Sequence, residues 1–271
     1  MKIAGIQFAC VKDKEKNVEK GLKMADMAIE AGAQIICFQE LFNLHWFPNG
    51  RDEKAFAAAD TVSSPVIELM RKKAADAGAA VILPIFERED ARYFNSAVVI
   101  DADGAVCGTY RKVHVPDIPL WEEKFYFSTG DRGLPVFETK YGRIGVQISW
   151  DNLFPEGTRI LALKGTDIVF APTACAFKSQ HIWQTVITAN AITNSIFVMR
   201  VNRVGSEDTQ DFYGMSFCVN PEGELLGGPT GRQDGILLAD VNLETLREVR
   251  REWPILKERR PDFYSEILMP T

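Results

Sequence analysis

Histidine is scarce in this sequence, and both histidine and cysteine are scattered. The three histidines among 271 residues, His45, His114 and His181, show no metal-ligand spacing. The five cysteines, Cys10, Cys37, Cys107, Cys175 and Cys218, are an odd number without a CxxC pair. They fit neither a disulfide framework nor a zinc site, and they point to a reducing cytoplasm. Long apolar runs are also missing. The best, residues 35–38 and 168–171, fall far short of the roughly 20 residues that cross a bilayer. Basic charge is not in excess either: 31 Lys and Arg against 37 Asp and Glu give a net charge of -6, which argues against nucleic acid as the main partner. The N-terminal residues read as a strand rather than a signal peptide. With 46% hydrophobic and 25% charged residues, the composition is that of a globular protein able to bury a sizeable core.

Helical and strand patterns alternate along the chain. Residues 2–9 read as a strand. A helix follows, with Val18, Leu22, Ala25 and Ile29 on one apolar stripe and Gly32 as its C-cap. Residues 34–39 form a short buried strand that ends beside Glu40. Ser64-Pro65 starts a second helix that Gly78 closes, and residues 80–85 are the next strand. Residues 96–101 and 106–112 read as a hairpin around Asp103-Gly104, and residues 136–139 and 143–148 as another across Tyr141-Gly142. Between them, residues 114–133 lack periodicity, and a loop of that length in a compact domain is usually functional. Residues 155–164 are helical and 167–171 a strand. Ser179 is expected to cap a helix with Ile182, Val186, Ala189 and Thr193 on one face. Residues 196–201, 215–220, 224–226 and 235–241 are strands, and Asn242 begins a last helix. Without a linker or repeat, the chain is expected to form one α/β domain over 1–271, with two mixed sheets flanked by helices.

Three strand ends carry chemistry: Glu40, Lys112 and Ser149. Each also has a plain reading. Glu40 fits a solvated carboxylate, Lys112 half of a surface Arg111-Lys112 pair, and Ser149 a small core residue. The spacings alone do not bring them together.

The surrounding motifs do more. FQELF (38–42), YRKVHVPD (110–117), EKFYF (123–127), GRIGVQISWDNLFPEGTR (142–159), APTA (171–174) and RVNRVG (200–205) follow one another along nearly the whole chain. In this the sequence resembles the nitrilase superfamily, the carbon–nitrogen hydrolases. The resemblance implies an αββα sandwich that assembles as a homodimer or higher homo-oligomer, and catalysis by Glu, Lys and Cys without metal or cofactor. It maps the general base onto Glu40, the oxyanion-stabilising ammonium onto Lys112, a second glutamate onto Glu123 and the nucleophile onto Ser149. The Trp150 N–H would be a second oxyanion donor. Where the family motif reads ICWD, this sequence reads ISWD.

A hydroxyl is far less acidic than a thiol, and serine enzymes usually pair it with a histidine base. The chain is therefore expected to bind a small amide, carbamoyl or nitrile substrate and to turn it over very slowly or not at all. It would be an engineered cysteine replacement or a natural ligand-binding member without catalysis. Trp-Asp after the nucleophile position resembles the amidase and carbamoylase branches more than true nitrilases. WDNLFPEGTR and the tail RREWPILKERRPDFY (250–264) are similar to the N-carbamoylputrescine amidase branch. Pocket candidates are His45, Trp46 and Phe47, Trp121, Tyr126 and Phe127, and Thr173, Ala174 and Phe177, each of which equally fits a core role. A cationic substrate end would need Asp117, Glu122 or Asp211. Arg200 and Arg203 are read as braces between loops, and Cys175, on a different loop from residue 149, as packing. The tail 251–271 is expected to cross to a partner subunit.

Overall fold

The computed structural model describes residues 1–176 and 179–269; Phe177 lies outside the described residues. In chain order the strands are β1 (Lys2–Gln7), β2 (Ile35–Phe38), β3 (Ala80–Glu89), β4 (Arg92–Ile100), β5 (Val106–Arg111), β6 (Phe137–Thr139), β7 (Gly142–Val146) and β8 (Ile168–Thr173). They continue with β9 (Phe197–Asn202), β10 (Val204–Glu207), β11 (Gln210–Tyr213), β12 (Phe217–Val219), β13 (Leu225–Gly227) and β14 (Gly235–Asp240). The helices are α1 (Lys14–Glu30), α2 (Pro65–Ala77), α3 (Glu123–Tyr126), α4 (Pro155–Leu163), α5 (Gln180–Asn194) and α6 (Leu243–Glu252).

One six-stranded sheet has the order β14-β1-β2-β3-β4-β5 and the other β13-β12-β9-β8-β7-β6. In each, the strands next to crossover helices pair in parallel and the hairpin strands antiparallel. Side-chain alternation sorts the layers. Ile3 of β1 enters the core between the sheets with Ile35, Ile82, Ile144, Phe170 and Met199. Its neighbours Ala4 and Ile6 pack outward under α1 and α2, with Met24, Ile67 and Met70. On the far side, Leu161 of α4 and Ile187 of α5 cover Val169 and Val198. The result is the expected αββα sandwich. Burial on both faces explains why its central strands read as unbroken apolar runs. At Gly5 the sheets come so close that a Cβ would sit 2.7 Å from Val201 Cγ2, so no larger residue fits there.

Several local expectations hold. α2 starts at Pro65 after Ser64 and ends on Gly78 at φ +63°. Gly32, at φ +88°, follows the last turn of α1 one residue beyond the cap Ala31. Asn242 accepts from Glu244 N and caps α6.

Others are corrected. The buried face of α5 is Trp183, Ile187, Asn190, Ala191 and Asn194, not the stripe through Ile182, Val186, Ala189 and Thr193. Two buried asparagines hid it: Asn190 Nδ2 donates to Asn152 O and Asn194 Nδ2 to Asn190 O. Ser179 precedes α5 without capping it, because its hydroxyl donates to Ala176 O and accepts from Trp183 Nε1. The β10–β11 hairpin was not foreseen.

Candidate active site

The carboxyl ends of β2, β5 and β7 open on the same side of the sandwich, and Glu40, Lys112 and Ser149 follow those strands. The long loop after Lys112 folds back to bring in Glu123, the first residue of α3. Lys112 Nζ lies 3.0 Å from Glu40 Oε1 and 2.9 and 2.7 Å from the two oxygens of Glu123. All three side chains are buried. The surface-pair reading of Arg111-Lys112 fails: Arg111 is buried too, gripping Glu87, Glu89 and Asp131 while Lys112 turns to the site. The Lys112 backbone is held on both sides. Its N–H donates to Asn95 O at 2.8 Å, and its carbonyl accepts from Gly130 N at 2.9 Å. Gly130 must be glycine, since a Cβ there would lie 2.2 Å from Arg111 O.

One ammonium thus serves two buried carboxylates. Burial works against the Lys112 charge, but Glu123 and Glu40 more than offset it and hold the ammonium above the usual lysine range. Burial pushes the Glu123 carboxyl up to about 7, with Lys112 opposing and Glu40 adding to the rise. Asn95 Nδ2 donates to Glu40 Oε1 at 2.7 Å, and Glu40 Oε2 is buried with no hydrogen-bond partner among the described residues. The site therefore offers a fixed positive charge and a carboxylate oxygen free to accept a proton.

Ser149 starts a short 3-10 turn (Ser149–Leu153) at φ +46°, a left-handed conformation that is unfavourable for a residue with a side chain. Asp151 holds that turn. Its carboxylate accepts from Ile148 N at 3.0 Å, Tyr110 OH at 2.7 Å and His114 N at 2.9 Å. His114 Nδ1 lies 2.9 Å from the same carboxylate, and its ring stacks on Phe154 at 3.7 Å. Asn152 Nδ2 donates back to Ser149 O at 2.9 Å. His114 thus braces the turn. Trp150, half-buried, is the next residue of the turn.

Cys175 changes standing. It does pack with Trp183 and Tyr213, yet its Sγ lies 3.7 Å from Ser149 Oγ. Two loops distant in sequence meet here. Asn202 pins Cys175 from both sides, accepting from its N–H at 2.9 Å and donating to its carbonyl at 3.1 Å.

The described aromatic pocket candidates pack in the core. Trp46, Phe47, Trp121, Tyr126 and Phe127 pack into one cluster with Phe86, Ala174 and Phe212. Trp46 N donates to Glu207 Oε2, and Trp121 Nε1 to Ala174 O. Thr173, fully buried, donates to Ala171 O. His45 is half-buried, with Nδ1 3.6 Å from Asp208. Asp117 and Asp211 are exposed, whereas Glu122 keeps one buried oxygen without a partner among the described residues.

Asn95 escaped the sequence reading, although a lone asparagine inside the apolar strand FNSAVVI was a signal. Arg203 is the expected brace in a more specific role: it donates to the carbonyls of Glu40, Leu41 and Leu44 and pairs with Glu207.

Residues 2–251 match the family model described as carbon-nitrogen hydrolase. Among curated proteins, the chain is 36% identical over 282 residues to an N-carbamoylputrescine amidase of Solanum tuberosum, covering 98% of this chain and 94% of that one. It is 34% identical to a citrullinase of Francisella tularensis, covering 99% and 98%. Among solved structures, a carbon-nitrogen hydrolase from Helicobacter pylori G27 superposes with a TM-score of 0.94 at 32% identity, covering 99% of both chains.

Proposed function

The chain belongs to the carbon-nitrogen hydrolases, and from that premise we propose that its pocket hydrolyses a C–N bond in a small N-carbamoyl or terminal amide substrate and releases ammonia. The observation that carries this reading is Lys112 held between Glu40 and Glu123 beside the Ser149 turn. A substrate carbonyl oxygen gains negative charge when a nucleophile attacks, and the Lys112 ammonium, with the Trp150 N–H, is suited to receive it. Glu40, through its unpartnered oxygen, takes the nucleophile's proton and passes it to the leaving nitrogen. Glu123 keeps the ammonium in position.

A ureido amine is the favoured substrate class. The similarity to an N-carbamoylputrescine amidase and to a citrullinase supports it. Of the three candidate carboxylates, Glu122 has the buried oxygen that an ammonium end would satisfy. Attack from Ser149 itself is slow on this reading, because Glu40 is a weak base for a hydroxyl and no histidine is hydrogen-bonded to it.

The test is ammonia release by the Ser149→Cys protein on N-carbamoylputrescine, N-carbamoyl-β-alanine, ω-amides and simple nitriles. Release that is fastest on the ureido amine supports the reading. A Ser149→Cys protein inert on the whole panel rejects it.

The same reading includes residence in the cytoplasm and self-association through α4 and the tail. Ile160 and Leu163 of α4, Ile192 of α5 and Trp253 are exposed. With Ile267 and Leu268 of the tail, the α4 residues and Trp253 line a groove of about 910 Å³. Among the described residues no helix is long and apolar enough to cross a membrane.

A further inference from the structure

A cysteine sulfur lies in contact with the position where the family places one. We propose, resting on the C–N hydrolase reading above, that Cys175 supplies the attacking thiol that the turn at Ser149 lacks. Its Sγ is 3.7 Å from Ser149 Oγ, so a substrate carbon shifted by about one atomic contact meets sulfur instead of oxygen.

Three features of its surroundings equip Cys175 for this role. Its backbone is fixed by the two Asn202 hydrogen bonds, and Asn202 is itself anchored to Gly214 O at 3.0 Å. The Arg200 guanidinium acts on the thiol electrostatically, held in turn by Tyr213 OH at 2.8 Å and by the Trp183 ring. The Glu40 carboxylate acts on it electrostatically, and Glu40 Oε2 has no hydrogen-bond partner among the described residues. By contrast, Cys10 and Cys37 donate to the carbonyls of Phe42 and Phe38, and Cys218 sits in the apolar core between the sheets. Cys107 is exposed.

Burial pushes Cys175 up to about 11, Arg200 pulls it down and Glu40 pushes it up, so it enters the reaction as a thiol. The Sγ–C bond forms as the S–H bond breaks. The proton goes to Glu40, and the carbonyl electron pair moves onto oxygen beside Lys112. Collapse of that intermediate breaks the C–N bond. The leaving nitrogen takes the proton from Glu40 and departs as ammonia, leaving an acyl or carbamoyl thioester on Sγ. Water then attacks this carbonyl, Glu40 takes its proton, and the thiolate leaves and is reprotonated. Sulfur suits this sequence better than oxygen because a thiol gives up its proton more readily and a thiolate leaves more easily.

The experiment treats the folded 271-residue chain with acrylamide, a small amide with an electrophilic carbon. Adducts are then located by peptide mass spectrometry, and ammonia release from N-carbamoylputrescine is measured in parallel. Labelling is expected at Cys175 and at exposed Cys107, more slowly at Cys175 in Glu40→Gln. Ammonia release is expected from the unaltered chain, unchanged in Cys107→Ser and at least ~100-fold lower in Cys175→Ser. A Cys175 that stays unlabelled while residue 149 of the Ser149→Cys protein is labelled overturns the proposal, whether or not Cys175→Ser folds. An unaltered chain that releases no ammonia while Ser149→Cys does also overturns it and leaves the hydrolase reading standing. Silence from both proteins overturns that reading and this inference together.

Discussion

The guanidinium of Arg203 donates to the Glu40 carbonyl at 3.0 Å across 163 residues of sequence. It also reaches Leu41 O and Leu44 O, and pairs with the buried Glu207 at 2.8 Å. Leu41 sits at φ +49°, so the chain turns sharply just past Glu40, and Arg203 satisfies the carbonyls that this turn leaves without strand partners. The backbone of Glu40, just past β2, is thus held by a residue that follows β9.

Breaking this clamp leaves Glu207 as an unpaired buried charge. Arg203→Met is expected to lower the free energy of unfolding by about 3 to 5 kcal/mol. Adding Glu207→Leu is expected to recover part of that loss, because the orphaned carboxylate is gone. Urea titrations of the two variants check this; a single variant as stable as the unaltered chain would show that the clamp contributes nothing.

The crowded charges at the site make stability depend on pH. Burial and Glu40 lift Glu123 from its ordinary value of 4.5 to about 7. Between those values the native state keeps a proton that the unfolded chain has released. The stability linked to that proton is complete below about 4.5 and is lost as pH rises through about 7. Glu123→Gln removes the titrating group, so its unfolding free energy declines less with rising pH across that window. Denaturant titrations at intervals through the window, on both proteins, measure the two slopes; parallel curves would contradict the assignment.

The tail supplies a third outcome. Trp253, Ile267 and Leu268 are exposed although apolar, and they line the same groove as α4. If this surface joins two copies of the chain, a chain ending at Glu252 sediments more slowly and dissociates at higher concentration than the full one. An unchanged sedimentation profile would remove the tail from the interface.

Much of this molecule was legible in one dimension because its signals are local. Ser64-Pro65 and Gly78 bracket α2 because proline presets a helical φ and glycine accepts a left-handed one. The turns at Gly104 and Gly142 declare their hairpins, and the apolar strands declare a sheet covered on both faces. The motifs pointed to Glu40, Lys112 and Glu123, which the fold brings into direct contact.

What stayed hidden depends on contacts between distant segments. Hydrophobicity misplaced the buried face of α5 because Asn190 and Asn194 spend their polarity on hydrogen bonds inside the protein. Arg111 and Lys112 looked like one surface pair because sequence does not reveal that each points to its own buried carboxylates.

The cysteines make the division plain. By itself the sequence determined that residue 149 carries oxygen and that five thiols lie elsewhere. Only the tertiary structure decided that one of those thiols lies against residue 149. β7 and β8 lie side by side in parallel, so the loops that follow them leave the sheet at the same edge. Ser149 and Cys175 meet there, 26 residues apart along the chain.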